Sequence, residues 1–287
     1  MKPIHTFFFL PFLTACPIEN NLQYIGPIQF GADCVPTAEP MLNAQPPVAI
    51  CEMSNTTVRP IHEAIDFYGE QSYDPNGYDL VGYEWTFIKR PDGASNTFSE
   101  NERRYHNIYG FVPDMAGEYI AELRVMNDRC VISDPCQATI TARPNENLWV
   151  EMFWRHSGDD MDLHLVRNNG DYESDEDCYF GNCIGDEWHE LDWGTYGSIA
   201  DDPFLDLDDI EGTGPENINI EQPTNGRYLV AVHDYPGSEY NRPNDVTIRI
   251  HLNGELVYNR TKSIQGEDSY TEFATIQWPE GTVQPIE

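Results

Sequence analysis

Residues 201–217 form the most acidic stretch of the chain, with seven carboxylates within residues 201–216 and no lysine or arginine. Two carboxylates about 4 Å apart repel each other by roughly 4 kcal/mol at an effective dielectric constant near 20. A folded segment of this composition must therefore separate its acids in water or gather them around a cation. Glycine, proline and asparagine in the same run indicate a turning backbone rather than a helix. Carboxylates on such a loop are typical ligands of Ca²⁺.

A second acidic segment, residues 160–165, alternates strictly between polar and apolar side chains. In a strand, the apolar residues at 161, 163 and 165 face one side, and Asp160, Asp162 and His164 face the other. Asp206 and Asp208 share one face of the acidic loop in the same way if their leucine neighbours enter the core. We therefore expect both segments to converge on one or two Ca²⁺ ions. The predicted ligands are Asp160, Asp162, Asp206, Asp208 and Asp209, with Asp202 and Glu216 as further candidates.

An alternative interpretation makes these acids solvated turn residues and strand-end caps on an acidic exported protein. The loop is not an EF-hand, because it lacks the twelve-residue spacing and the terminal bidentate glutamate. The concentration of charge is local: residues 159–216 contain nineteen acids and a single base, Arg167. The whole chain has a formal net charge of −33. This charge argues against a nucleic acid or an anionic lipid surface as a partner.

Histidines in the acidic half of the chain raise the possibility of a metal-dependent hydrolase, since clusters of histidine and aspartate suit zinc hydrolysis. The chain nevertheless contains no His-Glu-x-x-His motif and no Gly-x-Ser-x-Gly motif. We therefore predict that the protein is not an enzyme and has no catalytic residues. The histidines considered are His156, His164, His189 and His233.

Aromatic residues between positions 179 and 196 raise carbohydrate binding as another alternative, because exposed rings stack on sugars. Rings in a loop-rich sandwich more often fill its core and cover its edge. Protein–protein adhesion is therefore the default interpretation, with an unknown protein or glycan as the ligand. The rings are Tyr179, Phe180, Trp188, Trp193 and Tyr196.

Short alternating runs separated by turn residues are typical of β-sandwiches, and they occur along the whole chain after residue 46. Asn253-Gly254 predicts a hairpin turn. The predicted fold is all-β, with two antiparallel β-sandwich domains, the second of jelly-roll type, and no substantial helix outside the signal peptide. The predicted organisation is a lipoprotein signal peptide at 1–15, an extended tether at 16–45, an immunoglobulin-like domain at 46–143, a linker at 144–147, an acidic sandwich at 148–281 and a tail at 282–287.

The N-terminus is predicted to direct export. Lys2 precedes an apolar run at residues 7–13 that is too short to span a bilayer. Leu13-Thr14-Ala15-Cys16 resembles the bacterial lipobox, which implies that Cys16 is lipidated and anchors the protein in a membrane. Pro17 stands where an inner-membrane retention signal has aspartate, so the outer membrane or cell surface is the expected location.

The cysteine count agrees with export. Of seven cysteines, assignment of Cys16 to lipid leaves six, and an even number in an exported chain predicts three disulfides. Six cysteines allow fifteen pairings, and the proposed pairs are Cys130 with Cys136, Cys178 with Cys183, and Cys34 with Cys51.

Residues 46–143 resemble a PKD domain. The resemblance is carried by Ser-Tyr-Asp-Pro-Asn-Gly at 72–77, Tyr-Glu-Trp at 83–85 and Phe-Val-Pro-Asp-Met-Ala-Gly-Glu-Tyr at 111–119. It implies an immunoglobulin-like sandwich with Trp85 in its core, acting as a spacer or contact module without catalysis.

Residues 148–280 resemble the second domain of a set of bacterial PKD-containing surface lipoproteins. The matching segments are Asp-x-Asp-Leu-His at 160–164, the Cys-to-Cys segment at 178–183, the acidic run at 202–209 and Gly-Thr-Gly-Pro-Glu-Asn at 212–217. This resemblance implies an architecture more than an activity.

Overall fold

The protein is an all-β molecule, as expected from its alternating sequence. The computed structural model describes residues 45–185, the backbone of 188–189, and residues 191–287. Within these ranges the helical content is a single 3-10 turn at Glu102–Arg104. Across the described part of the chain, no helix has the length and apolar character needed to cross a bilayer. The predicted leader, the predicted tether up to residue 44 and the residues Cys16 and Cys34 lie outside the described residues.

The first unit packs two sheets around one core. One sheet has the order β1-β3-β5 and the other the order β2-β7-β6-β4; β2 and β7 run parallel and the other pairs are antiparallel. Trp85 is fully buried in this core beside Phe67 and Tyr119. The strands are β1 (Glu52–Met53), β2 (Thr57–Val58), β3 (Ile65–Tyr68), β4 (Leu80–Lys89), β5 (Asn107–Phe111), β6 (Gly117–Asn127) and β7 (Cys136–Ala142).

The second unit is a larger sandwich with its own core. A five-stranded sheet has the order β10-β9-β15-β18-β19, and a seven-stranded sheet has the order β12-β11-β13-β14-β8-β16-β17. Only β11 and β13 pair in parallel among these described strands. The strands are β8 (Leu148–Trp154), β9 (Met161–Arg167), β10 (Asp177–Cys178), β11 (Cys183–Ile184), β12 (Trp188–His189), β13 (Phe204–Leu207), β14 (Glu216–Ile220), β15 (Gly226–Asp234), β16 (Asn244–Leu252), β17 (Glu255–Ile264), β18 (Ser269–Trp278) and β19 (Thr282–Pro285).

The C-terminal residues differ from the sequence prediction. Residues 282–287 were expected to form a tail, but Thr282–Pro285 is strand β19, which pairs with β18 through partners such as Ile276 and Val283. Four residues following a glycine turn carry too short an alternation to be recognised as a strand. The predicted Asn253-Gly254 hairpin is present between β16 and β17, with both residues at positive φ, as a two-residue hairpin turn requires.

The disulfide pairing is confirmed in one case and wrong in two. Cys178 and Cys183 are bonded, as expected from their spacing. Cys51 is bonded to Cys136, with a Cα–Cα distance of 5.8 Å, which replaces the predicted pairs of Cys130 with Cys136 and Cys34 with Cys51. The reason is topological, because Cys51 precedes β1 in one sheet and Cys136 begins β7 in the other. Cys130 is also disulfide-bonded.

The two units meet on the outer face of the seven-stranded sheet. Glu151 of β8 is fully buried there. Its Oε1 accepts a 2.6 Å hydrogen bond from the backbone N–H of Ala116 in the first unit and a 3.0 Å bond from Nε1 of Trp149. Arg59 forms an ion pair with Glu146 across the same junction. The neighbours of Glu151 on either side, Val150 and Met152, enter the core of the second unit, so Glu151 points to the opposite face of β8. The two-residue period of the strand therefore places Glu151 at the junction.

Candidate metal centre and adjoining cleft

The acidic loop is an antiparallel hairpin of β13 and β14 that contains an irregularity. Leu205 pairs with Ile218, but Leu207 pairs with Asn217, so β13 has one extra residue at Asp206. A bulge of this kind reverses the side-chain alternation beyond it. Asp206 and Asp208, which were predicted to share a face, therefore lie in different surroundings.

Asp208 converges with two acids from other strands. One carboxylate oxygen each from Asp162, Asp208 and Glu216 lies within 4.8 Å of the other two. Asp162 and Glu216 are buried, while Asp208 is exposed. We call these three residues the carboxylate triad. It joins β9 of the five-stranded sheet to the hairpin of the seven-stranded sheet.

Backbone hydrogen bonds hold Glu216 in the triad. Its Oε2 accepts a 2.8 Å bond from the N–H of Leu163, and its Oε1 accepts a 3.4 Å bond from the N–H of Asp209. Asp162 differs from Glu216, because its Oδ2 is buried and accepts no hydrogen bond. This oxygen lies 3.7 Å from Nδ1 of His233. A buried carboxylate oxygen without a hydrogen bond costs free energy, so Asp162 has unused capacity to bind a cation.

Burial and mutual repulsion raise the pKa values of the triad and its neighbour Asp160. Burial, followed by the charges of Asp160 and Asp208, raises the pKa of Asp162 to about 8. Burial, followed by Asp208, raises the pKa of Asp160 to about 6. The pKa of Glu216 is raised well above its usual value by complete burial and then by Asp162. Burial also raises the pKa of Asp208. A divalent cation would favour the ionised form of all four carboxylates and so oppose these shifts.

The remaining predicted ligands have other contacts. Asp209 stabilises the turn between β13 and β14, because its carboxylate accepts hydrogen bonds from the N–H groups of Gly212 and Gly214 at 2.9 and 2.7 Å. Asp202 accepts a 2.5 Å bond from the N–H of Trp193. Asp206 faces the first unit, where it lies 2.9 Å from Nε2 of His62 and accepts a 2.6 Å bond from Asn219. These contacts place Asp202, Asp206 and Asp209 outside the triad, and Asp160 borders it.

The triad suits a hard cation. Calcium binds oxygen ligands at 2.3–2.6 Å, so oxygens up to 4.8 Å apart fit around one ion. All the donors are carboxylates, which favours calcium or magnesium over zinc or copper. No described histidine belongs to the triad.

The histidines considered for hydrolysis have partners of their own, and one of them, His233, lies against Asp162 of the triad. Nδ1 of His164 lies 2.6 Å from Oδ2 of Asp177, and both residues are fully buried. The ring of His164 also stacks on Tyr179 at 5.2 Å. His233 stacks on Tyr270 at 4.3 Å. These contacts make His164 and His233 packing elements beneath the loop that follows β9. His156 stacks on Tyr240, and His189 lies in β12.

The aromatic run at 179–196 does not form a flat exposed platform within the described residues. Trp193 is buried, and its Nε1 donates a 2.8 Å bond to the carbonyl of Asp175. Phe180 packs against the core of the second unit. Tyr196 is 95% exposed. The side chain of Trp188 lies outside the described part of the chain. The placement of these rings therefore does not support a sugar platform at this run, the alternative that the sequence raised.

A cleft that sequence reasoning missed adjoins the triad. It has a volume of about 710 Å³ and lies between residues 157–160, the end of the acidic loop and the loop after β15. Asp160 belongs to its lining, together with the exposed residues Tyr235 and Ile210 and the half-buried Tyr240. The sequence Pro236-Gly237-Ser238 indicates a turn after a strand, but nothing in the sequence places this turn beside Asp160.

No protein-family model matches the chain, and no curated protein matches it. The resemblances to the PKD family and to the second domain of surface lipoproteins therefore stay predictions.

Proposed function

We propose that the protein is an exported, lipid-anchored binding module with no catalytic role, whose second unit is stabilised by Ca²⁺ at Asp162, Asp208 and Glu216. Cys16 would carry the lipid at the outer membrane or cell surface. The first unit, with its PKD-like sequence, would act as a spacer. The second unit would contact a protein or glycan partner.

The convergence of the carboxylate triad carries this proposal. Two of its members are buried, and Oδ2 of Asp162 has no hydrogen bond. Three carboxylates at this separation repel one another strongly in a partly buried setting. A calcium ion converts this repulsion into attraction and leaves coordination positions for solvent or ligand on the side where Asp208 is exposed.

Two further features support the proposed export of the protein and the kind of partner proposed for it. Disulfides persist in oxidising compartments, and the structure contains the bonds Cys51–Cys136 and Cys178–Cys183. The formal charge of −33 disfavours nucleic acid as a partner.

Calcium titration with thermal melting tests the cation site. We expect the melting temperature of the full chain to rise in CaCl₂ relative to chelator, since a ligand at a hundredfold excess over its Kd adds about 2.7 kcal/mol to the free energy of unfolding. The Asp208→Asn variant should lose this rise. Glu211→Gln, which removes the same charge from an exposed position in the same loop, should keep it. An unchanged melting temperature for the wild-type protein in calcium would refute the site.

The lipid anchor is tested separately. Wild-type protein expressed in a bacterium with an outer membrane should fractionate with membranes and take up labelled palmitate. Cys16→Ser should release it into the soluble fraction. Membrane association that survives this substitution would contradict the anchor without bearing on the calcium site.

A further inference from the structure

The cleft beside the carboxylate triad has walls fixed by backbone hydrogen bonds. Gly158 joins the two sides, because its N–H donates to the carbonyl of Glu211 at 3.0 Å and its carbonyl accepts from the N–H of Tyr240 at 2.8 Å. The N–H of Tyr235 donates to the carbonyl of Asp160 at 2.9 Å, and the N–H of Asp160 donates to Oγ of Ser238 at 3.0 Å. The cleft is therefore a preformed site rather than a gap between mobile loops.

The rings in the cleft are held in place and remain accessible. Tyr235 is 41% exposed and makes edge contacts with Phe180 and His233 at 5.7 and 5.8 Å between ring centroids. Tyr240 stacks on His156 at 4.8 Å. Fixed, partly exposed tyrosines offer an apolar face and a polar hydroxyl without a large entropic cost on binding. This combination suits the C–H faces of sugar rings.

The charge of the lining selects among ligands. Asp160, Glu211 and Glu239 line the cleft, and among the described residues that form it there is no lysine or arginine. An anionic ligand would be repelled by these carboxylates. A neutral ligand rich in hydroxyl groups would instead donate hydrogen bonds to them. The cleft thus combines acceptors for hydroxyl groups with rings for apolar faces.

Asp160 connects the cleft to the triad. Asp160 is one of the residues that line the cleft, and its carboxylate is close enough to Asp162 and Asp208 for their charges to interact. Oδ1 of Asp160 is buried without a hydrogen bond. Three protein carboxylates leave a calcium ion, which takes six to eight oxygens, short of ligands. The exposed side of Asp208 is where further oxygens can enter.

We propose that the cleft binds a neutral glycan, with sugar rings against Tyr235 and Tyr240 and two adjacent hydroxyl groups completing the coordination of the calcium ion. This inference rests on the calcium site proposed above. It locates the partner at residues 157–160, 210–211 and 235–240, a lining that includes none of the aromatic residues of the run at 179–196, although Tyr235 contacts Phe180 of that run.

Affinity electrophoresis of the full chain through gels containing mannan, galactan or β-glucan tests the inference, in CaCl₂ and in chelator. We expect retardation by at least one polysaccharide in calcium and none in chelator. Tyr235→Ala should weaken this binding by about tenfold, the loss of a ring contact worth roughly 1.4 kcal/mol. Tyr196→Ala, which removes an exposed ring outside the cleft, should bind like the wild-type protein.

The outcomes separate the two proposals. Tyr235→Ala should keep the calcium-dependent rise in melting temperature, whereas Asp208→Asn should lose both this rise and polysaccharide binding. A wild-type protein that shows the thermal rise but is retarded by none of the three polysaccharides overturns the glycan inference alone. Retardation that persists in chelator, or that Tyr235→Ala leaves intact, also overturns it. Absence of the thermal rise refutes the calcium site itself.

Discussion

The N–H of Leu163 donates a 2.8 Å hydrogen bond to Oε2 of Glu216, which links strand β9 of one sheet to the acidic hairpin of the other. Leu163 lies in β9 where β10 no longer pairs with it, since β10 contacts only Leu165 and Val166. The carboxylate of Glu216 therefore replaces a missing strand partner. The same side chain also contributes to the carboxylate triad, so sheet packing and the candidate cation site share one residue.

Two substitutions at Glu216 should separate these roles. Glu216→Gln keeps a carbonyl oxygen for the N–H of Leu163 and removes the charge. We expect little loss of stability in chelator and no stabilisation by calcium. Glu216→Ala leaves that N–H unpaired and creates a cavity, and it should lower the free energy of unfolding by about 2–4 kcal/mol. Urea unfolding with and without calcium measures both; equal losses for the two variants would contradict the separation.

The pH dependence of stability should reverse sign with calcium. In the folded protein the pKa of Asp162 is raised to about 8 and that of Asp160 to about 6, from 3.8 for both. Between pH 4 and 8 the folded state then binds more protons than the unfolded state, so its free energy of unfolding falls as the pH rises.

Calcium binding requires ionised carboxylates, so its affinity should increase over the same range. Urea unfolding at pH 5 to 8 in calcium-free buffer and in CaCl₂ checks this. If stability rises with pH in calcium-free buffer, the pKa values of Asp160 and Asp162 are not raised in the folded protein.

Asp206 should behave differently from Asp208, two residues away. Asp206→Ala removes the contacts to His62 and Asn219 at the junction of the two units. We expect a loss of about 1 kcal/mol in the free energy of unfolding, with the calcium-dependent thermal rise unchanged. Asp208→Asn should show the opposite pattern. Loss of the calcium response in Asp206→Ala would place Asp206 in the cation site after all.

Glu151 should control the coupling of the two units. Glu151→Ala leaves the N–H of Ala116 and Nε1 of Trp149 without their acceptor, and it should destabilise the protein by about 3–5 kcal/mol. Calorimetry should then resolve two transitions in place of one. Glu118→Ala, which removes a surface ion pair with Lys89, serves as the control and should change stability by less than about 1 kcal/mol. A single unshifted transition for Glu151→Ala would contradict the coupling.

Alternation in the sequence was sufficient to predict the all-β fold and its long strands, such as β6 and β8, because a period of two is set by the backbone itself. It did not predict short strands such as β10 and β19. Met161, Leu163 and Leu165 enter the core as expected, and Asp162 lies in the triad. Alternation did not predict that Asp206 and Asp208 lie in different surroundings. The bulge between Leu205 and Leu207 reverses the alternation of faces, and nothing in the nearby sequence indicates this bulge.

Contacts between distant segments account for the other differences. Cys51 pairs with Cys136 because two sheets bring them together, which spacing along the chain does not reveal. The loop at 235–240 approaches Asp160 for the same reason. Contacts of this kind can be recognised only when the order of strands in each sheet is known.

The Cys51–Cys136 bond also limits how far the first unit can be stretched. It closes a covalent loop between two residues 85 positions apart in the chain, a separation whose extended contour length is roughly 290 Å. While the bond is intact, tension cannot draw Cys51 and Cys136 apart, so the strands between them cannot be pulled out to this length. Single-molecule stretching in oxidising and in reducing buffer can measure the extension that the bond prevents. The oxidised first unit therefore resists extension under load even after its strands separate.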